Sequence, residues 1–395
     1  MKKSVKDVDV KNKLVFLRVD FNVPLDENQN ITDDTRIKRS LETINYLIDE
    51  GAKIVVASHL GRPKGEIKPE LSLKPVSKRL SELLSKEVRF IGKTIGNEVE
   101  EVKKNLKSGE VFLLENLRFD PQETKDGEDF AKELAKNIDI YVNDAFGACH
   151  RAHSSIHKIT DFVKVKVSGF LLEKEIKFLS MATENPPANY TVILGGAKVS
   201  DKIPIIENLL DRAKNILIGG AMAYTFMQAK GIDVGGSRVE KDSIDLCENI
   251  IKDAEKKGVE IHLPTDHIAA IKIEPNITVR IISQDMTIPS EMMGLDIGPQ
   301  TVEEYKHVIK NSELIVWNGP MGVFEIDTFS SGTIEIARAV AESKAISIIG
   351  GGDSVAAINK AGVSDKITHI STGGGASLEF LSGKVLPGID VLEDK

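Results

Sequence analysis

Short β-branched runs alternate with longer amphipathic segments along most of the chain, and they do so twice over. In the first half, residues 14–19, 53–57, 111–114 and 139–142 read as strands. Residues 35–50 read as a helix, with Ile37, Leu41, Ile44 and Ile48 at helical spacing after the cap-like Asp33-Asp34. Residues 73–84 and 129–135 read likewise. Alternation of this kind predicts a parallel sheet with helices on both faces. A long amphipathic segment, 169–183, stops at Asn185-Pro186-Pro187, where proline cannot continue a helix. The alternation then resumes, with strands expected at 191–194, 215–218, 260–263, 279–282, 314–317, 345–349 and 367–370. The expected fold class is therefore α/β: two doubly wound parallel-sheet lobes joined by a long interdomain helix. A length of 395 residues fits two domains.

The chain carries a net charge of −8, which argues against nucleic acid as a partner because phosphate-backbone binding needs a basic surface. No apolar run reaches the length of a membrane span, so no membrane partner is expected. The N-terminal MKKSVKDVDVKNK lacks an apolar core and does not read as a signal peptide. Two cysteines, Cys149 and Cys247, far apart in sequence, suit a reducing cytoplasm.

The chemistry gathers where strands end. Val192-Ile193-Leu194 runs into Gly195 and Gly196, then into Lys198 and Lys202. Read as a helix, that four-residue spacing puts both lysines on one face, beside unpaired N–H groups and a partial positive charge. Polyphosphate fits such a place; an ordinary strand-to-helix turn is the alternative. Similar clusters follow other second-half strands: Gly219-Gly220, Trp317-Asn318-Gly319-Pro320-Met321-Gly322, Gly350-Gly351-Gly352 and Gly373-Gly374-Gly375. On one sheet they would converge on the crevice where open α/β sheets bind ligands. None fits G-x-G-x-x-G or the Walker A pattern. First-half strands end instead in Asp20-Phe21-Asn22, in Ser58-His59-Leu60-Gly61-Arg62, in Glu115-Asn116-Leu117-Arg118-Phe119, and in the run from Asn143 to His153. Arg36, His59, Arg62, Arg118 and Arg151 would form a basic pocket for phosphate or carboxylate oxygens.

Several of these residues have plainer readings. Cys149, His150, His153 and His157 resemble zinc ligands, but Arg151 sits among them and anion contact by Arg151 fits better. Cys149 reads as a small filler, or as a thiol acidified by His150 and Arg151. Trp317 reads as packing rather than stacking on a base. Asp353, after three glycines, is either a helix N-cap or a Mg²⁺ ligand. Glu325 either contacts a ribose hydroxyl or is merely exposed.

Taken in order, these motifs resemble phosphoglycerate kinase over essentially the whole chain. They are RVDFNVP at 18–24, SHLGRP at 58–63, ENLRF at 115–119 and NDAFGACHRAHSS at 143–155. GGAKVSDK at 195–202, WNGPMGVFE at 317–325, GGGDS at 350–354 and STGGGASLEFLSGKVLPG at 371–388 complete the set. The resemblance implies an N-terminal 3-phosphoglycerate lobe, 1–168 plus about 379–395, whose tail returns from the other lobe. It implies a C-terminal nucleotide lobe, 169–378, that includes a linker helix over about 169–184. It implies that Asp20, Phe21, Asn22, Arg36, His59, Leu60, Gly61, Arg62, Arg118 and Arg151 bind 3-phosphoglycerate. Gly195, Lys202, Gly219, Gly220, Gly294, Asn318, Glu325, Gly351, Gly352, Asp353 and Ser354 would bind ATP or ADP, with Asp353 serving Mg²⁺. Arg36, Lys198, Gly374 and Gly375 would be catalytic. Ala148-Cys149 and Ile271 depart from the family pattern without touching these residues.

The implied reaction moves the acyl phosphate of 1,3-bisphosphoglycerate to ADP, reversibly, in a cytoplasmic monomer acting on small molecules. A dinucleotide-dependent α/β oxidoreductase lacks its glycine fingerprint here. A non-catalytic homologue is disfavoured because every expected charged site residue is present.

Overall fold

The computed structural model describes residues 1–283 and 286–395. The chain divides into two compact units, Met1–Lys177 with Val385–Lys395, and Phe178–Lys384. The division falls inside a single helix, Phe170–Thr183.

The first unit is built on strands β1 (Leu14–Val19), β2 (Lys53–Ala57), β3 (Val88–Ile91), β4 (Val111–Leu114), β5 (Ile140–Asp144) and β6 (Val165–Ser168). They form one six-stranded sheet in the order β3-β4-β2-β1-β5-β6. Every pairing in it is parallel. Helices cover both faces, so the central strands are near-continuous apolar runs: β1, LVFLRV, and β4, VFLL, are buried throughout. The edge strands differ. β3, VRFI, exposes its second residue, and β6, VKVS, is only half-buried at its start. Neither was expected from the sequence, because a short strand with a charged residue has no apolar run to mark it.

The second unit contains β7 (Tyr190–Leu194), β8 (Asn215–Ile218), β9 (Glu260–His262), β10 (His267–Ala270), β11 (Arg280–Ile282), β12 (Met293–Ile297), β13 (Leu314–Asn318), β14 (Ile346–Gly350) and β15 (His369–Ile370). Six of them make a second parallel sheet, β15-β14-β13-β7-β8-β9. The other three form an antiparallel sheet, β11-β10-β12. This corrects the expectation that 279–282 continues the strand–helix alternation; β11 pairs instead with β10, which the sequence did not signal.

In each main sheet the strand order reverses once. β1 has β2 on one side and the later β5 on the other; β7 likewise stands between β8 and the later β13. At such switch points the connections leave in opposite directions and open a crevice beyond the carboxyl ends.

Within the first unit, the segment Val385–Lys395 is tied back firmly. Asn143 Nδ2 donates to the Gly388 carbonyl at 2.9 Å, and Gly388 N to the Cys149 carbonyl at 3.0 Å. At the end of β5, Asp144 Oδ1 accepts from Leu172 N at 3.2 Å, in the first turn of the Phe170–Thr183 helix. Burial pushes this carboxyl up to about 7, although Thr43 and the N–H groups of Leu172 and Leu171 favour its ionised form. The folded chain thus holds this proton more tightly than the unfolded chain does. Its contribution to stability is present at acid pH and declines as pH rises from about 4 to about 7. Asp144→Asn should remove that decline, so that the change in unfolding free energy between pH 5 and pH 8 in urea differs from wild type by about 2–3 kcal/mol. Parallel pH profiles for the two proteins would refute it.

Candidate active site

In the first unit the crevice at β1 is lined from four strand ends. Arg18, the fifth residue of β1, is fully buried. Its Nε donates to Ser155 Oγ at 2.8 Å, and the Ser155 hydroxyl donates in turn to Glu123 Oε1 at 2.7 Å. A second guanidinium nitrogen donates to the Val19 carbonyl, and the third lies 3.1 Å from His59 Nδ1. Burial holds His59 well below the usual imidazole value; Asp20 favours its charge, but Arg18, Arg118 and Arg36 oppose it. At neutral pH His59 is therefore neutral. Nδ1 accepts from Arg18 and Nε2 carries the hydrogen, 3.9 Å from Asp20 Oδ1. The expectation of His59 as one of five cations is corrected: Arg18 beside it holds the charge.

Asp20 pairs through Oδ2 with Arg36. Burial works against charge on Asp20, yet the Arg36 and Arg18 guanidiniums keep its carboxyl below the ordinary value. Asn22 Oδ1 accepts from Gly61 N at 2.8 Å, and Arg118 donates to the Gly61 carbonyl at 2.8 Å. Burial, reinforced by Arg18 and Arg151, lowers the Arg118 guanidinium to about 10. Its Nε is buried without a partner among the described residues. Phe21 and Leu60 are buried beneath the crevice, whereas Arg62 and Arg151 are exposed. The structure thus gathers Asp20, Asn22, Arg36, His59 and Arg118 around Gly61, with Phe21 and Leu60 offering backbone rather than side chains.

The supporting residues were not singled out by sequence. Asn116 Oδ1 accepts from Leu60 N and Arg118 N, both at 3.1 Å, and its amide nitrogen donates to the Leu60 carbonyl at 2.7 Å. Glu115 Oε1 accepts from Leu73 N and Asn116 N, both at 2.8 Å. Arg18 was legible in principle, as the one charge in an otherwise apolar strand. Cys149 is a filler: its thiol is buried and burial pushes it up to about 12, so neighbouring His150 and Arg151 do not acidify it.

In the second unit the loops after β7 and β13 interlock. Gly195 N donates to the Asn318 carbonyl and Gly196 N to the Pro320 carbonyl, both at 3.0 Å; Gly220 N donates to the Met321 carbonyl at 2.7 Å. A Cβ on Gly195 would lie 2.0 Å from the Pro320 oxygen. At Gly219 the obstacle would be Met321, and at Gly294 the Tyr224 hydroxyl, 1.8 Å away. These glycines are demanded by neighbouring protein. Gly196, Gly352 and Gly374 instead face open space, where a ligand can approach the backbone.

Asn318 ties the crevice together. Its Oδ1 accepts from the Lys202 ammonium, and its Nδ2 donates to the Gly350 carbonyl at 2.8 Å. Burial lowers the Lys202 ammonium value, against Asp201 and Asp353. Gly351, at φ +91°, occupies the N-cap of the helix Gly352–Ala361. Asp353 is therefore not the cap; it lies exposed in the first turn. Ser354 Oγ accepts from Gly319 N at 2.6 Å. Gly374 and Gly375 open the short helix Gly375–Leu381, and Glu325 is exposed. Trp317 is buried, its Nε1 donating to the Gly319 carbonyl at 2.6 Å.

The two lysines do not share a helix face. The helix begins at Ile203, with Pro204 in its first turn, and Lys198–Lys202 is a turn that folds over buried Val199. Proline fits a helix start and not its interior, which fixes the boundary here. Lys198 is exposed while Lys202 is half-buried.

Among the described residues, no three His, Cys, Asp or Glu side chains gather as a metal site. No helix among them is long and apolar enough to cross a membrane.

The phosphoglycerate kinase family model matches residues 5–384. A phosphoglycerate kinase of Thermosipho africanus is 56% identical over 397 residues, spanning 100% of this chain and 98% of the relative. The chain belongs to the phosphoglycerate kinase family. A relative with the same name from Clostridium botulinum is 52% identical over 100% of this chain and 99% of its own. The fold agrees: a phosphoglycerate kinase structure from Coxiella burnetii superposes with a TM-score of 0.92 at 38% identity, covering 99% of this chain and 98% of that one. One from Pyrococcus horikoshii superposes at 0.84 with the same identity and coverage.

Arg18 is a test of how the first-unit crevice is held. Arg18→Ala leaves Glu123 buried without its guanidinium and should lower unfolding free energy by about 3 kcal/mol in urea titration. A change within experimental error would show that the Arg18–Ser155–Glu123 chain contributes nothing.

Proposed function

We propose that this chain transfers the acyl phosphate of 1,3-bisphosphoglycerate to Mg-ADP, giving ATP and 3-phosphoglycerate, and catalyses the reverse. One observation carries the reading beyond family membership. Two chemically different half-sites occupy the switch points of two parallel sheets: guanidiniums around Gly61 on one, lysines and open glycine backbone on the other. The first suits a small phosphorylated acid and the second a nucleotide polyphosphate.

In this reading Asp20, Asn22, Arg36, His59, Arg62, Arg118 and Arg151 hold the triose, with the backbone of Phe21, Leu60 and Gly61. Lys202, Asn318, Gly294, Glu325 and the loops at Gly195, Gly219-Gly220 and Gly351–Ser354 hold the nucleotide. Units Met1–Lys177 with Val385–Lys395 and Phe178–Lys384 serve as triose and nucleotide lobes respectively. The protein in this reading is a monomer working on small molecules.

Asp353 supplies one exposed carboxylate at a helix start, a donor set that fits a magnesium ion arriving on the nucleotide phosphates rather than one resident in the protein. Mg²⁺ would there offset phosphate charge.

In the direction of ATP consumption the nucleophile is the carboxylate of 3-phosphoglycerate. It is ionised at neutral pH, so no protein base is needed. The unit-one groups agree with this: His59 is neutral and Asp20 is committed to Arg36. The catalytic work left is positioning and charge neutralisation. Lys198, Arg36 and the Gly374 and Gly375 amides would stabilise the phosphoryl group in flight. In-line transfer needs the two lobes to close and exclude water, since water would hydrolyse the acyl phosphate.

Arg36→Ala and Lys198→Ala should each lower kcat by about 10²-fold or more, with a much smaller effect on nucleotide binding. Near-wild-type kcat in both would refute their assignment. A Mg²⁺-dependent assay with ATP and 3-phosphoglycerate tests the reaction itself. Small-angle scattering should show compaction when both substrates are present; an unchanged radius of gyration would count against closure.

A further inference from the structure

The turn that carries Lys198 is tied to the helix that follows it through the Val199 carbonyl, which accepts from Lys202 N at 2.7 Å and from Ile203 N at 3.1 Å. It is also held from outside by one carboxylate. Glu240 Oε2 accepts from Val199 N at 2.5 Å and from Ser200 N at 3.1 Å, while Oε1 accepts from the Ser200 hydroxyl at 3.0 Å. These are the two residues that directly follow Lys198. Glu240 is itself fixed from behind, its N–H donating to Thr225 Oγ1 at 3.1 Å in the helix Met222–Ala229. Three residues earlier, Ser237 Oγ accepts from Gly294 N at 3.0 Å. The segment from Ser237 to Glu240 thus touches the nucleotide half-site on both sides, at Gly294 and at the lysine turn.

The arrangement is stronger than packing requires. Charge-assisted hydrogen bonds onto consecutive backbone N–H groups fix both the direction and the height of the turn. Burial works against charge on Glu240, but Ser200 and Val199, with Lys198 nearby, keep the carboxyl below its ordinary value. Lys198 is exposed on a long flexible stem. For an exposed lysine, the placement of its ammonium depends on how firmly its Cα is held. Gly196 anchors the turn on one side through the Pro320 carbonyl; Glu240 anchors it on the other.

We propose that Glu240 is a positioning residue for phosphoryl transfer, acting through the Val199 and Ser200 N–H groups to hold Lys198 where it meets the transferring group. The proposal rests on the reading above that Lys198 serves that group. Glu240 itself does not touch substrate.

The test is a comparison of Glu240→Ala, Glu240→Gln and Lys198→Ala, with the Glu240→Ala/Lys198→Ala double variant, in the full-length enzyme assayed with ATP, Mg²⁺ and 3-phosphoglycerate. Glu240→Ala should lower kcat by about 10- to 100-fold while the KM for ATP and for 3-phosphoglycerate changes by less than about threefold. Glu240→Gln should recover most of the loss. Its amide oxygen can accept from both N–H groups and its NH₂ can donate to Ser200 Oγ, so the geometry survives without the charge. In the Lys198→Ala background, Glu240→Ala should cost little more, because the group it positions is gone. A full additive loss in that background overturns the proposal, as does Glu240→Ala with kcat within about twofold of wild type. Wild-type kcat in Lys198→Ala alone overturns the underlying reading of Lys198, a separate failure. If Glu240→Ala does not fold, as thermal unfolding would report, Glu240→Asp takes its place. It keeps the charge but falls one methylene short of the turn, so the same kcat loss is expected, and its absence overturns the proposal.

Discussion

A parallel sheet covered on both faces leaves its strands no contact with water, so a chain of this design delivers its chemistry beyond the strands' carboxyl ends. Both units obey this constraint. β1, β4, β7 and β13 are buried at every residue, and the polar and flexible groups begin where they stop. The groups that gather follow β1, β2 and β4 in the first unit, and β7, β13 and β14 in the second. What differs between the units is how each crevice is built. The first is made by long side chains, braced by Asn116 and Glu115 and by the buried Arg18–Ser155–Glu123 chain. The second is made by backbone, with glycines that interlock against Pro320 and Met321 and leave Gly196, Gly352 and Gly374 facing outward.

That difference matches the proposed ligands. A small acid with few atoms is gripped by several guanidiniums at once. A polyphosphate is better met by N–H groups and mobile ammonium groups, which follow its oxygens without a fixed fork. In the first crevice Asp20 is committed to Arg36, and no protein base is needed when the attacking group is already ionised. The protein's electrostatic effort goes into keeping cations charged and close together despite mutual repulsion. The lowered value of Arg118 reflects burial first and then that repulsion, from Arg18 and Arg151.

The sequence disclosed most of this where local and global signals agree. Long apolar runs marked the central strands, and the glycine clusters and the SHLGRP, ENLRF and GGAKVSDK motifs marked the strand ends. It was silent where tertiary context decides. β3 and β6 are edge strands whose charged residues hide them. β10–β12 form an antiparallel sheet that local alternation cannot announce. Lys198 and Lys202 have helical spacing, yet Pro204 starts the helix later. His59 reads as a cation until burial beside Arg18 makes it neutral. Glu240 and Glu123 look like ordinary surface acids in the sequence; their partners lie 40 and 32 residues away or more.

The return of Val385–Lys395 to the first unit has a consequence for how the protein is made. The second unit is one continuous stretch, Phe178–Lys384, and is complete as soon as that stretch has left the ribosome. The first unit is not, although most of it is synthesised earlier. Asn143 and Cys149 must wait for Gly388 before their amide and carbonyl are satisfied. The half of the molecule that emerges first therefore reaches its final form last, and it spends the interval with the end of β5 unsealed.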